Sequence, residues 1–458
     1  MPVFTWRSAM PAPASEVFAW HSRPNAFARL MPPWQRYRFV EHTGTGIQDG
    51  SRVVIELGVG PAWVRWVALH SGYQEGRQFR DEQIQGPFHS WSHTHRFIPE
   101  NSDSSWLEDT IQYELPLSPI SEWIAGGRVR SMLERSFRFR HARVRSDLER
   151  HVRYSANGRQ TLAISGSRGL IGQRLTAFLT TGGHAVRRLV RPPVSAGPND
   201  IQWNPDAGQL DRAALEGVDA IIHLSGADLA EHRWTELRKS QIRDSRINST
   251  RLIAEAVAGM QRRPKVLICA SAVGIYGDQG DTLVDERSGP GKGFLAELCQ
   301  AWEAAAEPAR KAGIRVVNLR FGFVLAREGG ALAKLITPFS LGLGGRIGKG
   351  NQAISWIGAE DVIGTIYRAL FDPRVSGPVN VVAPQPVTNR EFTRVLSRLM
   401  ARPALLPLPG FAVKLALGEM GEELLLKGAR VHPGRLNAIG FQYVHDNLQS
   451  ALSQELGI

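Results

Sequence analysis

The sequence predicts an α/β protein in which a doubly wound parallel sheet, with a small C-terminal substrate-side segment, follows an α+β domain. Three observations carry this reading. Residues 1–118 fall into short strand-like segments separated by Gly, Asp, Asn or Pro. A long Arg-rich helical stretch then intervenes. From Thr161 onward, strand and helix patterns alternate, as a parallel sheet with crossover helices requires.

The first half opens with VFTWRS as a strand, followed by PASEVFAWHSRPNAFARLM as one or two short helices, with Ser15 expected as an N-cap. Six further strands are expected in RYRFVEH, SRVVIELGV, AWVRWVALHSGYQ, RQFRDEQIQ, SWSHTHRFI and LEDTIQYELPL. In the last, Ile111, Tyr113 and Leu115 alternate with Gln112 and Glu114, the period of a half-buried strand. A closing helix is expected over Pro119–His151, with Ile124, Val129, Met132, Leu133, Phe137 and Phe139 on its apolar positions. This order of elements resembles the helix-grip, START-like fold (the polyketide cyclase or SRPBCC type). The resemblance implies an apolar ligand held between sheet and helix. His89, His93 and His95, with Trp91, raise a metal site, but three histidines on one hairpin strand are more often structural, and no metal is expected.

The strongest signal lies at the start of the second half. TLAISGSRGLIGQRLTAFL reads as strand, glycine turn and helix in one unit. Gly166 allows the tight turn, Gly169 lets backbone approach a pyrophosphate, and Gly172 allows close packing of the helix. The loop Gly166, Ser167, Arg168, Gly169, Leu170, Ile171 and Gly172 is therefore expected to hold a dinucleotide at a helix N-terminus. NAD-binding folds of this Rossmann type usually end their second strand in an acidic residue that holds the ribose 2′-hydroxyl. Here Val190 and Arg191 stand there, after Arg187 and Arg188. Arg191 with Arg168 suits a 2′-phosphate, so NADP is expected rather than NAD.

Further along, GVDAIIHLSGADLAEHRWTELRKSQIRDSRINSTRLIAEAV, KVLICASAVGIYGD, VVNLRFGFVLAREGG and SWIGAEDV occur in that order. They resemble the extended short-chain dehydrogenase/reductases, and most closely the atypical epimerase-family group related to NAD-dependent epimerase/dehydratases. A tail running to LLLKGARVHPGRLNAIGFQY resembles that group's own C-terminal domain. The expected domains are thus 1–155, 160–400 and 401–458. The resemblance implies that Leu224, Ser225, Gly226, Ala227 and Ala270 line the cofactor cleft. It puts Ser271 near the superfamily's substrate-binding Ser or Thr, although a register on Tyr276-Gly277 puts Ala272 there instead. Arg246 falls where related enzymes carry an active-site Asn, as a candidate anion or substrate contact, or else a surface arginine. Tyr276 is a candidate catalytic group or a structural aromatic, and Asp361 resembles an acidic helix opener, with an N-cap role expected.

One departure concerns chemistry. The superfamily's Tyr-x-x-x-Lys pair exchanges a proton as hydride moves, yet none of the seven tyrosines here has a lysine four residues later. The corresponding helix offers Leu295 and Cys299 instead; the candidate substitutes are Lys292, Glu297, Tyr276, or Arg246 as an electrophilic stabiliser. Two functions follow: an NADP(H)-dependent oxidoreductase or epimerase acting on a small substrate, or a non-catalytic NADP(H)-binding sensor or interaction protein.

Composition narrows the classes further. Two cysteines in 458 residues cannot build a disulfide framework and favour a reducing, cytoplasmic setting. No apolar run reaches the ~18 residues of a spanning helix, and no signal peptide is visible. Net charge is +12, but residues 1–150 carry 18 Arg against 16 acidic residues, so the excess lies in the C-terminal part, without a basic tail. A diffuse positive field suits an anionic cofactor, and no nucleic-acid partner is expected.

Overall fold

A computed structural model of the protein describes residues 1–118, 120–194 and 197–458. They form two compact units: Met1–Arg159 with Ala177–His184 and Gly457, and Gln160–Thr176 with Ala185–Leu456 and Ile458.

The first unit is built on seven strands: β1 (Val3–Met10), β2 (Tyr37–Thr43), β3 (Arg52–Val59), β4 (Ala62–Gln74), β5 (Gln78–Gln85), β6 (Ser90–Pro99) and β7 (Ser105–Glu114). They lie in the order β1-β7-β6-β5-β4-β3-β2, every pair antiparallel. Helices α1 (Ala14–Ser22) and α2 (Ala26–Leu30) interrupt the strands early, and α3 (Ile120–Arg153) closes the unit. The alternation seen in the sequence decides which face α3 covers. Leu133 and Phe137 pack with Phe4, Ile111 and Tyr113, while Val144 and Leu148 pack with Phe18, Phe97 and Leu107. Each such large side chain withdrawn from water contributes ~1.5–3 kcal/mol.

One local expectation fails here. Ser15 is not the cap of α1: Pro13 occupies that position, without a side-chain hydrogen bond, and Ser15 lies inside the helix. Pro13 can take the role because its fixed φ of −56° and extended ψ direct the chain into the turn. The expected start of α3 at Pro119 lies outside the described residues.

The second unit has an eight-stranded sheet: β8 (Thr161–Ser165), β9 (Ala185–Val190), β10 (Asp200–Asn204), β11 (Gln209–Leu210), β12 (Ala220–His223), β13 (Val266–Ala272), β14 (Arg315–Phe321) and β15 (Gly377–Val381). The order is β11-β10-β9-β8-β12-β13-β14-β15, parallel except at β11. Strand order reverses between β8 and β12, which creates the crevice where open α/β sheets bind ligands. Helices α4 (Leu170–Thr181), α5 (Glu236–Ala258), α6 (Phe294–Ala304) and α7 (Ala359–Phe371) follow their strands. Strands buried on both faces read as continuous apolar runs, and Leu162, Ala163, Ile164, Ile221, Ile222, Leu267 and Ile268 have no measurable exposure.

A satellite core joins Leu332 and Phe339 to Phe392, Leu396, Leu448 and Leu452, tying the tail to the segment around residue 335. Asp361 is not the cap of α7; Gly358 is. Its buried carboxylate instead accepts from the backbone N–H of Val444 at 2.6 Å and His445 at 3.3 Å, which pins the tail to the unit.

Candidate dinucleotide site

The site is built from loops at the carboxyl ends of β8, β12 and β13, which register places side by side: Ser165 is level with His223, and His223 with Cys269. Gly166 has φ +69°, and a Cβ there would lie 2.8 Å from the Leu224 carbonyl carbon. Gly172 is tighter still, since its Cβ would lie 2.1 Å from the Gly166 carbonyl oxygen. Only glycine permits this approach, which brings the N-terminus of α4, beginning at Leu170, onto the loop. Gly169 donates its N–H to the Gly166 carbonyl at 2.9 Å, closing the turn. Ser167 is buried within the loop; Arg168 is exposed, and Leu170 and Ile171 are half-buried.

The arginines in and just past β9 divide into two kinds. Arg188 makes a bidentate pair with Asp200, both contacts 2.7 Å, and Arg187 donates to the Ala214 carbonyl at 2.8 Å. Arg191 is exposed just beyond the strand. The Arg188 hydrogen bond holds the Asp200 carboxyl below its usual range, and Arg168 contributes to the same shift from the glycine loop. The Asp200 carboxylate is thus paired with Arg188.

The second loop is gripped from α5. Arg246, expected as a substrate contact or a surface residue, is buried. It donates from Nη2 to the Ala227 carbonyl at 3.0 Å and from Nη1 to the Ile242 carbonyl at 3.2 Å. Its guanidinium lies 5.1 Å from the Trp302 ring centroid and so close to Gly226 that a Cβ there would meet it at 3.1 Å. Burial lowers its pKa to about 10, so it stays charged near neutrality. Ser245 accepts the Ala227 N–H at 3.1 Å. Together these contacts fix the Ser225–Ala227 backbone, which gives Arg246 a positioning role.

The expected catalytic hydroxyls are committed elsewhere. Ser271 donates to Glu303 Oε1 at 2.7 Å, and Glu303 is paired through both oxygens with Arg320, at 2.8 and 2.9 Å. Arg320 also donates to the Tyr276 hydroxyl at 2.8 Å, and that hydroxyl donates to Asn380 Oδ1 at 2.8 Å. Tyr276 is fully buried; burial raises its pKa, against the lowering effect of Arg320 and Asn380, and both hydrogen-bonding capacities of its hydroxyl are used within this network. Ala270 is buried in the same strand, whereas Ala272, the alternative to Ser271, is partly exposed at the strand end. Cys299 is buried on α6, and burial pushes its thiol up to about 11, which removes it as a nucleophile. Lys292 and Glu297 are exposed.

Glu303, Arg320 and Asn380 were not legible as a network. Each belongs to a different element, and no spacing in sequence connects them. The one available hint was Arg320 inside the largely apolar stretch VVNLRF, since a charge there needs a buried partner.

This architecture and loop define a dinucleotide-binding α/β protein of the short-chain dehydrogenase/reductase type, carrying an N-terminal START-like unit. Comparison with known proteins then fixes the family. Residues 162–383 match the NAD-dependent epimerase/dehydratase family, residues 10–138 the family of polyketide cyclases, dehydrases and lipid-transport proteins, and residues 408–455 a domain family of unknown function. An epimerase family protein of Mycobacterium leprae is 45% identical over 298 residues, covering 65% of this chain and 96% of that protein. The chain belongs to the epimerase family of NAD-dependent epimerase/dehydratase proteins.

Among solved structures, a nucleoside-diphosphate sugar epimerase from Corynebacterium glutamicum is 32% identical with a TM-score of 0.80, covering 99% of this chain and 90% of that one. The human epimerase family protein SDR39U1, solved with NADPH, is 34% identical with a TM-score of 0.60, covering 65% of this chain and 99% of that one.

Proposed function

We propose that this protein binds NADPH in the crevice between β8 and β12 and uses it to exchange hydride with a small carbonyl or alcohol substrate. The observation that carries the reading is the glycine loop closed by Gly166 and Gly172, with Arg168 and Arg191 where an NAD-specific site keeps a carboxylate. The presence of NADPH in the human relative supports the same choice. The cofactor supplies the hydride. The Gly166–Gly172 loop and the helix N-terminus hold its pyrophosphate, the two arginines its 2′-phosphate, and Arg246 fixes the loop beside it.

Proton exchange with the substrate does not run through a tyrosine-lysine relay in this reading. Tyr276 is locked by Arg320 and Asn380, and no lysine follows it by four. A second reading, a non-catalytic NADPH-binding sensor, draws on that same observation. Deuterium transfer decides between them. With NADPH deuterated at C4, an enzyme passes label catalytically into a metabolite of a cell extract. A sensor binds the nucleotide and leaves all label on it.

A further inference from the structure

Outside the dinucleotide unit, the face of the antiparallel sheet under α3 contains a polar cluster set among aromatic side chains. Register aligns Asp81 of β5 opposite His93 of β6, and His95 of β6 opposite Asp109 of β7. Because His93 and His95 are two residues apart, all four side chains share one face. Asp81 Oδ1 lies 3.3 Å from His93 Nδ1 and 3.3 Å from His95 Nε2. At the other ends of the same rings, Asp109 Oδ1 lies 2.8 Å from His93 Nε2 and 2.6 Å from His95 Nδ1. His141 of α3 braces Asp109 Oδ2 from 2.5 Å. The two imidazole centroids are 3.9 Å apart.

Proton counting shows what this arrangement lacks. A neutral imidazole has one N–H and one lone pair. His93 Nε2 is hydrogen-bonded to Asp109 and His95 Nε2 to Asp81, whereas the buried His95 Nδ1, 2.6 Å from Asp109 Oδ1, makes no hydrogen bond. With protein groups alone, a neutral His95 that donates to Asp81 therefore turns an unpartnered lone pair toward the Asp109 carboxylate. A cation at the Asp81 end removes this conflict. Both rings then turn N–H toward Asp109 and a lone pair toward the ion.

We propose that Asp81 Oδ1, His93 Nδ1 and His95 Nε2 bind a divalent first-row transition-metal ion, with Asp109 accepting the far ring proton of His93 and facing Nδ1 of His95. These three ligand atoms all lie within 4.8 Å of one another. Ligand atoms about 2.1 Å from an ion, at octahedral or tetrahedral angles, are themselves about 3.0–3.4 Å apart, which matches the two 3.3 Å separations. A carboxylate taking the second N–H of each ligating histidine is the usual outer support of such sites. Phe79 stacks on His95 with centroids 4.2 Å apart, and Phe137 meets His93 edge-on at 5.3 Å, so both rings are held in place. The Asp81 side chain retains 19% exposure against 4% for His93 and 10% for His95, which gives the ion an entry path and leaves positions for water or a ligand oxygen. Two imidazoles and one carboxylate suit zinc or ferrous iron.

The test uses untagged full-length protein, stripped with chelator and dialysed against cobalt(II) or zinc. The expected result is one metal per chain by elemental analysis, with visible cobalt absorption bands. His95→Gln is expected to abolish stoichiometric binding and Asp109→Asn to weaken it about 10–100-fold, while His89→Gln, an exposed residue of the same hairpin, leaves it unchanged. Should His95→Gln fail to fold, by circular dichroism, Asp81→Asn at the partly exposed ligand takes its place. Folded unmodified protein that takes up no stoichiometric cobalt or zinc overturns the proposal. So does binding that survives in both ligand variants.

Discussion

His223 illustrates how a single residue at the end of a core strand links burial to stability. Its Nδ1 lies 2.6 Å from Ser165 Oγ and its Nε2 3.0 Å from Ser249 Oγ, with no exposure to water. Ser249 spends its own proton on the Ser245 carbonyl at 2.7 Å. It therefore accepts from Nε2–H, and Ser165 donates to Nδ1. A neutral ring satisfies every group, and burial lowers the His223 pKa from 6.5 to about 3. Below pH 6.5 the unfolded chain takes up a proton that the folded chain refuses. Stability from this group is therefore complete above pH 6.5 and lost as pH falls toward 3, at about 1.4 kcal/mol per pH unit. In denaturant unfolding between pH 6 and pH 4, His223→Gln should lose one proton's worth of this slope. Parallel curves for variant and parent would show that His223 is not the group responsible.

Among elements, α5 carries the clearest division of labour. Its Thr235 caps the first turn by accepting from the Arg238 N–H, its inner face buries Ile242, Ile253 and Val257, and Arg246 reaches across to the loop after β12. Because both of its guanidinium hydrogen bonds go to backbone carbonyls, its loss is expected to act on binding. Arg246→Ala should weaken NADPH by about 10-fold or more, on the ~1.5–3 kcal/mol scale of a hydrogen bond from a charged group. Calorimetric titration checks this, and Arg246→Lys should recover only part, since an ammonium cannot span both carbonyls in the guanidinium's plane. Unchanged affinity in Arg246→Ala would remove the positioning role.

The same scale shows what was legible beforehand. The strand AWVRWVALHSGYQ is β4 residue for residue, and the glycine loop lies where its three glycines predict, because alternation and turn chemistry are local signals. Ser15 and Asp361 misled, since a side chain of capping type does not say which backbone it will satisfy. The Ser271–Glu303–Arg320–Tyr276–Asn380 network was beyond reach for a related reason. Its members meet only after β13, α6, β14 and β15 have packed. His93 and His95 were visible as a pair two residues apart, but Asp81 and Asp109 join them only through strand register.

At the level of the molecule, the division into units follows the change from period-two to βα patterning near residue 160, and the charge excess lies on the side of the dinucleotide loop. The first unit has its own aromatic core, with Phe18, Trp20, Phe79, Phe97 and Phe137 buried. Residues 1–159 expressed alone should therefore fold cooperatively and bind an apolar fluorescent probe, as a helix-grip domain with an apolar interior would. A fragment that melts without a transition, or folds yet ignores the probe, would contradict that reading. No helix among the described residues is long and apolar enough to cross a membrane.

Selection of NADPH by Arg168 and Arg191 in the second unit is read out by a paired titration. NADPH and NADH are titrated into the full-length protein and into Arg191→Ala under the same salt. The parent should bind NADPH more tightly than NADH, with the gap narrowed by about 1.5–3 kcal/mol in the variant, the range for charged hydrogen bonds. Equal affinities of the parent for the two nucleotides would contradict it.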